Sequence, residues 1–513
     1  MAASKWKFLL LAAAECALNQ DQVARPNIVF ILTDDQDQVL GGSFPTTSGA
    51  TPMPKTQKLL VDGGALFTSS FVHTPVCCPS RAETLTGRYL HNLKTPGVCT
   101  TPYDGFDPAT GGACCMHVEE DKVHDASFAA KLKRAGYATG MFGKYLNFCP
   151  GDCGDECSGA PIPEAFDAYL ANGGGHYFGP SFAVKNVAGL DDGTYDAPAD
   201  AYTTSVVGNY SAAWIESVKA GAAPFLAYVA PKAAHDPFQP AAWYADAWDD
   251  AWPARAPRPP SFNLSKAARR LHHPTVAAMG AITDDVASCI DDDFKDRWRT
   301  LMSVDDLVAG IFDALGDALE DTFVFYTSDH GYSLGELNLN WDKRHVYDFD
   351  TRVHLVARGP GVRPGAVVDA PFVTNVDLAP TFLDLAGVDA GDDVDGRSFA
   401  PWLRNATVPW RDEAFVEYAY VGIGPYCSMA EPIEQSDNNF VAVRRRDLLY
   451  AKFMNATDGS VDFAGAAHHE ELFFLDDDPH QLRNAVGGAD AALLADLRSS
   501  VVRWFRCAGP ACP

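Results

Sequence analysis

Asn27–Thr33 reads NIVFILT and is followed at once by Asp34 and Asp35. An unbroken apolar run rich in β-branched residues marks a strand buried on both faces of a parallel sheet. Thr322–Ser328 (TFVFYTS) repeats the pattern and is followed by Asp329 and His330, and Pro224–Ala230 (PFLAYVA) gives a third such run. Directly before the Thr322 strand, Leu301, Val304, Val308, Ile311 and Leu315 recur at steps of three and four, which predicts a helix with one apolar face. Strands alternating with helices predict an α/β fold: a large mixed, mostly parallel sheet sandwiched by helices. Gly151–Ala160 and Trp252–Pro260 read as loops. Past about residue 400 the pattern changes to short alternating stretches, Ala414–Tyr420, Phe440–Val443 and Glu471–Leu475, with a helix near Ala491–Phe505. The expected organisation is therefore a main domain over 24–400 and a smaller C-terminal domain over 401–513, built on a short antiparallel sheet and a helix.

The 513 residues are 47% hydrophobic and 21% charged, which is globular usage and excludes a disordered chain. Sixty-seven acidic side chains against 40 basic ones give a formal net charge of −27. Such a surface repels nucleic acid and anionic membranes, and an anionic substrate would need a locally basic site. In residues 1–20, MAASKWKFLLLAAAECALNQ, Lys5 and Lys7 precede the apolar run Phe8–Ala14 and small residues follow, the layout of a secretory signal peptide. That run is too short to cross a bilayer, and no later one reaches the length of about 18 apolar residues that a membrane span needs. Four N-x-S/T sequons (Asn209, Asn263, Asn405, Asn455) and 13 cysteines fit an oxidising, secretory route. Cys99, Cys114, Cys115, Cys149, Cys153, Cys157, Cys289, Cys427, Cys507 and Cys512 read as disulfide cysteines; Cys149, Cys153 and Cys157 lack the paired spacing of a zinc site.

Ligands of open α/β sheets bind at the carboxyl ends of strands, so Asp34–Asp35 and Asp329–His330 could face one crevice. Carboxylates gathered there repel unless a cation lies between them, and oxygen donors suit Ca²⁺ or Mg²⁺. The alternative is that each aspartate only caps a turn or helix. Val76–Arg88, VCCPSRAETLTGR, bears on that choice. Here the chain resembles the sulfatase family, whose C-x-P-S-R, alanine and T-G-R fall on Cys77, Pro79, Ser80, Arg81, Ala82, Thr86, Gly87 and Arg88. The resemblance runs from about Arg25 to Asn484 and is nearest in motifs to N-acetylglucosamine-6-sulfatases and algal arylsulfatases.

The resemblance implies that a formylglycine-generating enzyme oxidises Cys77 to formylglycine, and that Asp34, Asp35, Asp329, His330 and residue 77 hold one calcium ion. His330 departs from the asparagine usual there, although the extracellular glucosamine-6-endosulfatases look alike at this point. Gly140–Asn147 (GMFGKYLN) places Lys144 on the family's catalytic lysine, with Leu146 where a histidine usually follows. Lys232 and His235 in PFLAYVAPKAAHDPF match a basic pair, and Lys343 in NWDKRHVYDFD matches the last site lysine. ELFFLDDDPHQLRNAV resembles the family's closing signature.

The implied chemistry is sulfate ester hydrolysis. A hydrated aldehyde carries two hydroxyls: one attacks sulfur and displaces the alcohol, and the other then loses its proton so that sulfate leaves as the aldehyde re-forms. Arg81 would hold the nucleophile, Lys144, Lys232 and Lys343 would take sulfate oxygens, and His235 would protonate the leaving oxygen. The expected substrate is a sulfated carbohydrate, with small aryl sulfates also accepted. The expected compartment is the secretory pathway: the extracellular space, the cell wall or a lysosome-like organelle. Removing Cys16 and Cys77 from the 13 cysteines leaves 11, and Cys78 is the expected unpaired thiol. Two other readings compete. A phosphodiesterase or phosphatase of the same superfamily would present Ser or Thr where Cys77 stands. An inactive extracellular glycan-binding homologue would have an unconverted Cys77 or lost lysines.

Overall fold

β1 (Asn27–Thr33) shows why the first strand reads as an unbroken apolar run. Ile28, Phe30 and Leu32 point into one core and Val29 and Ile31 into another, none of them more than 1% exposed. A strand with a core on either side has no polar face to show. The computed structural model describes residues 25–38, 51–93, 106–107, 112–113, 120–146, 162–247, 255–406, 408–420, 426–427, 429–435, 437–454 and 465–513.

The other strands of the main sheet are β2 (Ala65–Phe67), β3 (Ala138–Lys144), β4 (Ala168–Asn172), β5 (Ser181–Lys185), β6 (Gly193–Asp196), β7 (Phe225–Ala230), β8 (Thr322–Ser328), β9 (Leu355–Arg358) and β10 (Ala366–Val368). Their spatial order is β10–β2–β9–β8–β1–β7–β3–β4–β5–β6. The central five, β8 to β4, run parallel, while β9 and β5 join antiparallel on either side. Helices α1 (Cys77–Thr86), α2 (Phe128–Arg134), α3 (Thr203–Val218), α4 (Asp284–Leu315) and α5 (Leu378–Leu385) form the outer layers. Leu85 of α1, Phe128 of α2 and Phe382 of α5 join the core of Phe30 and Leu32. Val207 and Ile215 of α3, with Leu301, Val304 and Val308 of α4, join that of Val29 and Ile31. α4 starts where Thr283 accepts the N–H of Val286, with Asp284 and Asp285 in its first turn, where the helix dipole favours acids.

A second sheet follows, four antiparallel strands in sequence order: β11 (Glu413–Tyr418), β12 (Phe440–Arg445), β13 (Leu448–Phe453) and β14 (His469–Phe474). α6 (Ala491–Phe505) packs Leu497, Val501 and Trp504 against Phe415, Val443 and Leu472. The sequence pattern did not reveal β13, because all six of its residues are buried and it lacks the alternation that marks a half-exposed strand.

Among the described residues, Cys289–Cys427 and Cys507–Cys512 are disulfides and Cys77 is the free thiol. Cys78 is disulfide-bonded, which corrects the expectation that it is unpaired. Successive helical residues project about 100° apart, so Cys78 leaves α1 in a different direction from Cys77 and is not confined to its neighbour's site. The expected leader 1–20, Cys16, Cys99, Cys114, Cys115, Cys149, Cys153, Cys157, the Gly151–Ala160 loop and the sequon at Asn455 lie outside the described residues.

Gly143, one residue before the end of β3, has φ +106°, and a Cβ there would meet Ala230 O of β7 at 2.0 Å. The two strands can come that close only without a side chain. Gly143→Ala should cost about 2–4 kcal/mol of stability. Urea unfolding checks this, and a midpoint equal to that of the parent chain would contradict it.

Candidate active site

β1 and β8 are parallel and in register, with Thr33 facing Ser328, so the residues after each strand emerge side by side. The Asp35 N–H donates to Asp329 Oδ1 at 3.2 Å. Asp35 itself is left-handed (φ 57°), a conformation that a short polar side chain tolerates better than most. Cys77 is the first residue of α1, and no side chain caps that helix at Val76. Its Sγ lies 3.6 Å from Asp34 Oδ1 and 3.3 Å from His330 Nε2. One donor atom from each of Asp34, Asp35, Cys77 and His330 falls within 4.8 Å of the others. Asp329 Oδ1 is 3.5 Å from His330 Nε2.

Basic side chains converge from three further directions. Arg81, one helical turn after Cys77, donates from Nε to Asp329 Oδ2 (2.8 Å) and from Nη1 to Lys144 O (2.9 Å), with Nη2 3.7 Å from Asp34 Oδ2. Lys144, at the end of β3, forms an ion pair with Asp34. Lys343 donates to both Asp35 oxygens (2.9 and 3.2 Å) and lies 3.0 Å from Asp342, which Arg344 holds in turn. After β7, Lys232 donates to Gly175 O (2.8 Å) and sits 5.6 Å above the Tyr177 ring. His235 Nδ1 lies 2.8 Å from Asp236 Oδ1. Leu146, where the family carries a histidine, packs into the core at 2% exposure.

Sequence reasoning missed Asp236, Asp342, Arg344 and Arg297. Arg297 reaches from α4 to donate to the Asp35 carbonyl and, at 3.0 Å, to Asp37 Oδ1. It stands four residues before Leu301 on the apolar stripe of α4, and a charged residue on such a stripe was the signal available.

The charges shape one another. Burial works against ionisation of Asp34, but Lys144, His235, Arg81 and Lys343 outweigh it and hold its carboxyl well below the usual range. Burial, with Asp34 beside it, pushes Asp329 up to about 6. Burial opposes charge on His330, yet Asp329 and Cys77 raise it to about 9. Burial and Asp34 resist a thiolate at Cys77, but Lys144, Lys343 and His330 draw its pKa well below that of a free thiol. Burial likewise opposes charge on His235, and Asp236 and Asp35 override it, so this imidazole is held well above its ordinary value. Three carboxylates and an imidazole on one small volume form a donor set that fits a divalent cation with a preference for oxygen.

The family model for sulfatases matches residues 26–388. N-acetylglucosamine-6-sulfatase of Capra hircus is 32% identical over 95% of this chain and 85% of its own length. A solved structure of a protein in complex with its substrate D-glucosamine-2-N,6-O-disulfate superposes at TM-score 0.67, with 22% identity over 93% of this chain and 97% of the other. Phosphonate monoester hydrolase of Agrobacterium radiobacter superposes at TM-score 0.65, with 20% identity over 94% and 95% of the two chains, so the fold alone does not choose between sulfur and phosphorus. The sequence matches do choose: the chain belongs to the sulfatase family and is a sulfuric ester hydrolase.

Arg81 is fully buried and bonded to Asp329, with Asp34 close by. Removing its charge in metal-free buffer should destabilise the fold by about 3–5 kcal/mol near neutral pH. Asp329, at about 6, takes up a proton as the pH falls, so no unpaired carboxylate then remains and the loss should shrink in acid. Urea unfolding of Arg81→Met at about pH 7.5 and about pH 5 checks both the size and the direction. An equal penalty at the two pH values would contradict the assignment.

Proposed function

We propose that the chain hydrolyses sulfate esters of sugars, with a formylglycine made from Cys77 as nucleophile and one calcium ion held by Asp34, Asp35, Asp329 and His330. The observation that carries this reading is the setting of residue 77: 5% exposed, at the start of α1, between Asp34 and His330 and beside the site's buried cations. The aldehyde hydrate would supply the attacking hydroxyl, and bound calcium would neutralise the carboxylates and make that hydroxyl more acidic.

The chain's own residues do the rest. Arg81 fixes Asp329 and reaches toward Asp34, keeping the acidic wall in one place. Lys144 and Lys343 lie beside residue 77 on the Asp34 and Asp35 sides, where they can take sulfate oxygens as negative charge builds. Lys232 would serve the same end from beyond β7. His235, held protonated against Asp236, is suited to give its proton to the leaving oxygen. The uncapped first turn of α1 adds N–H groups that favour an anion at residue 77.

Sulfated sugars are favoured because the Capra hircus relative is an N-acetylglucosamine-6-sulfatase and the structural neighbour binds a disulfated glucosamine. Small aryl sulfates would serve as artificial substrates. Exposed sequon asparagines at 209, 263 and 405, the disulfides and the leader-like N-terminus support a secretory route, ending outside the cell, in the wall or in a lysosome-like organelle. Maturation would then require a formylglycine-generating enzyme.

Mass spectrometry of the residue 77 peptide from active protein should show an aldehyde in place of the thiol. Active protein carrying only cysteine there would defeat the mechanism. The net charge of −27 points to exo-type or small-oligosaccharide substrates, because long polyanions are repelled at low ionic strength. Assays on sulfated mono- and oligosaccharides beside intact heparan sulfate should show kcat/KM falling as sulfates per chain rise. Faster internal desulfation of the polymer would overturn the charge argument.

A further inference from the structure

His73 lies four residues ahead of Cys77, on the segment that leads into α1. Its ring is wholly buried, with Nδ1 2.9 Å from Phe415 O and Nε2 3.1 Å from Glu417 Oε1 and 3.8 Å from Glu83 Oε1. Phe415 O can only accept, so Nδ1 carries a proton; Nε2 faces two carboxylates at ion-pair distance without an aligned hydrogen bond, a setting that favours a second proton and an imidazolium. Tyr89 and Phe415 close around it, with ring centroids at 4.4 and 5.1 Å.

The two acids belong to different parts of the fold. Glu83 is on α1, while Glu417 is on β11 of the second sheet and also accepts from His91 N (2.7 Å) and His91 Nδ1 (3.0 Å). Glu83 accepts further from Thr74 Oγ1 (2.6 Å) and Asn375 Nδ2 (2.9 Å). Asn375 accepts the His73 N–H (3.0 Å) and donates to Ser80 Oγ (3.1 Å), which donates to the Asp329 carbonyl (2.5 Å). A continuous hydrogen-bonded path therefore joins the second sheet, through His73, to α1 and to the strand end that bears Asp329.

We propose that His73 is a positioning residue for sulfate ester hydrolysis: its imidazolium, clamped between Glu83 and Glu417, fixes α1 and residue 77 against the second sheet. The proposal rests on residue 77 being the nucleophile. Burial disfavours the charge on His73, but Glu83 and Glu417 outweigh it and raise the pKa. A raised folded-state value means that the charge on His73 is kept in acid and lost as pH rises through that value. Of its two acids, Glu83 is raised by burial, whereas Glu417, despite its burial, is held low by His91 and His73, so Glu417 is the partner that stays ionised as the pH falls. Among the described residues, Thr74, Tyr89 and Asn375 also line the ring and its two acids, His91 is a second imidazole on Glu417, and Arg411, Asp377 and Asp395 lie around Tyr89; Glu83 and Glu417 are the acids that face the ring itself.

The test compares the full-length enzyme with His73→Gln, Glu417→Gln and the double variant, measuring kcat and KM on an aryl sulfate across about pH 5 to 8. Aldehyde content at residue 77 is read by mass spectrometry in each. His73→Gln should lower kcat on the order of tenfold to a hundredfold in acid, with little change in KM and normal aldehyde content, and should lose the alkaline fall of the parent profile. The double variant, a neutral pair, should recover part of that kcat. Glu417→Gln should move the alkaline fall to lower pH, and this arm stands even where His73→Gln fails to fold. A parent-like kcat and profile in His73→Gln, or an unmoved fall in Glu417→Gln, would overturn the proposal. Loss of aldehyde in His73→Gln would also overturn it, by placing His73 in maturation. Active parent enzyme without aldehyde would instead defeat the nucleophile reading on its own.

Discussion

Asp34, Asp35 and Asp329 share a volume from which water is excluded, each no more than 1% exposed, and that density of negative charge is the constraint on which the rest of the site depends. One uncompensated buried carboxylate costs several kcal/mol, so three side by side require cations from elsewhere in the fold. They come from separate elements: Arg81 from α1, Lys144 from the end of β3 and Lys343 from the loop after β8. Arg297 of α4 adds a fourth cation, and the second guanidinium, through the Asp35 carbonyl. No single segment could supply these groups, and the parallel central strands β8, β1, β7 and β3 bring their carboxyl ends together at one end of the sheet. A divalent cation at the same place would answer the same electrostatic demand.

Two kinds of information were legible in the sequence. Strand ends could be read because β1, β7 and β8 are buried on both faces and so carry no charged residue until they leave the sheet; the first charged residues after β1 and β8 are Asp34 and Asp329. Cys77 and Arg81 could be read because their spacing is local, one turn of one helix. Arg297 stayed hidden because its partner is 262 residues away and its own segment looked like an ordinary amphipathic helix. Asp236 and Asp342 were visible only as neighbours of residues already chosen, and their pairing with His235 and Lys343 is a matter of side-chain direction. Cysteine parity misjudged Cys78 because adjacency in sequence is not adjacency of side chains on a helix.

The second sheet bears on the chemistry through its edge. β11 supplies Phe415 O and Glu417 to His73, and Glu413 of the same strand accepts from Trp504 Nε1 and Ser500 Oγ of α6, both at 2.7 Å. One strand thus faces the entry to α1 with Phe415 and Glu417 and anchors α6 with Glu413. Helix α1 is only ten residues long, too short to be stable alone in water, so its placement must come from such tertiary contacts.

The formal charge of −27 and the cluster of buried cations act over different ranges. Surface carboxylates act through water, and salt screens them beyond about 8–10 Å. Arg81, Lys144 and Lys343 are at most 3% exposed, so they act at contact, in a medium where a charge counts for more. The first field governs how often an anionic substrate arrives. On the proposed assignment of these residues, the second governs how strongly a sulfate group is held, and how far the charge that develops on it is stabilised once it is there. An acidic exterior is therefore compatible with a sulfatase interior, and its cost falls on encounter with highly charged chains rather than on turnover of a bound ester.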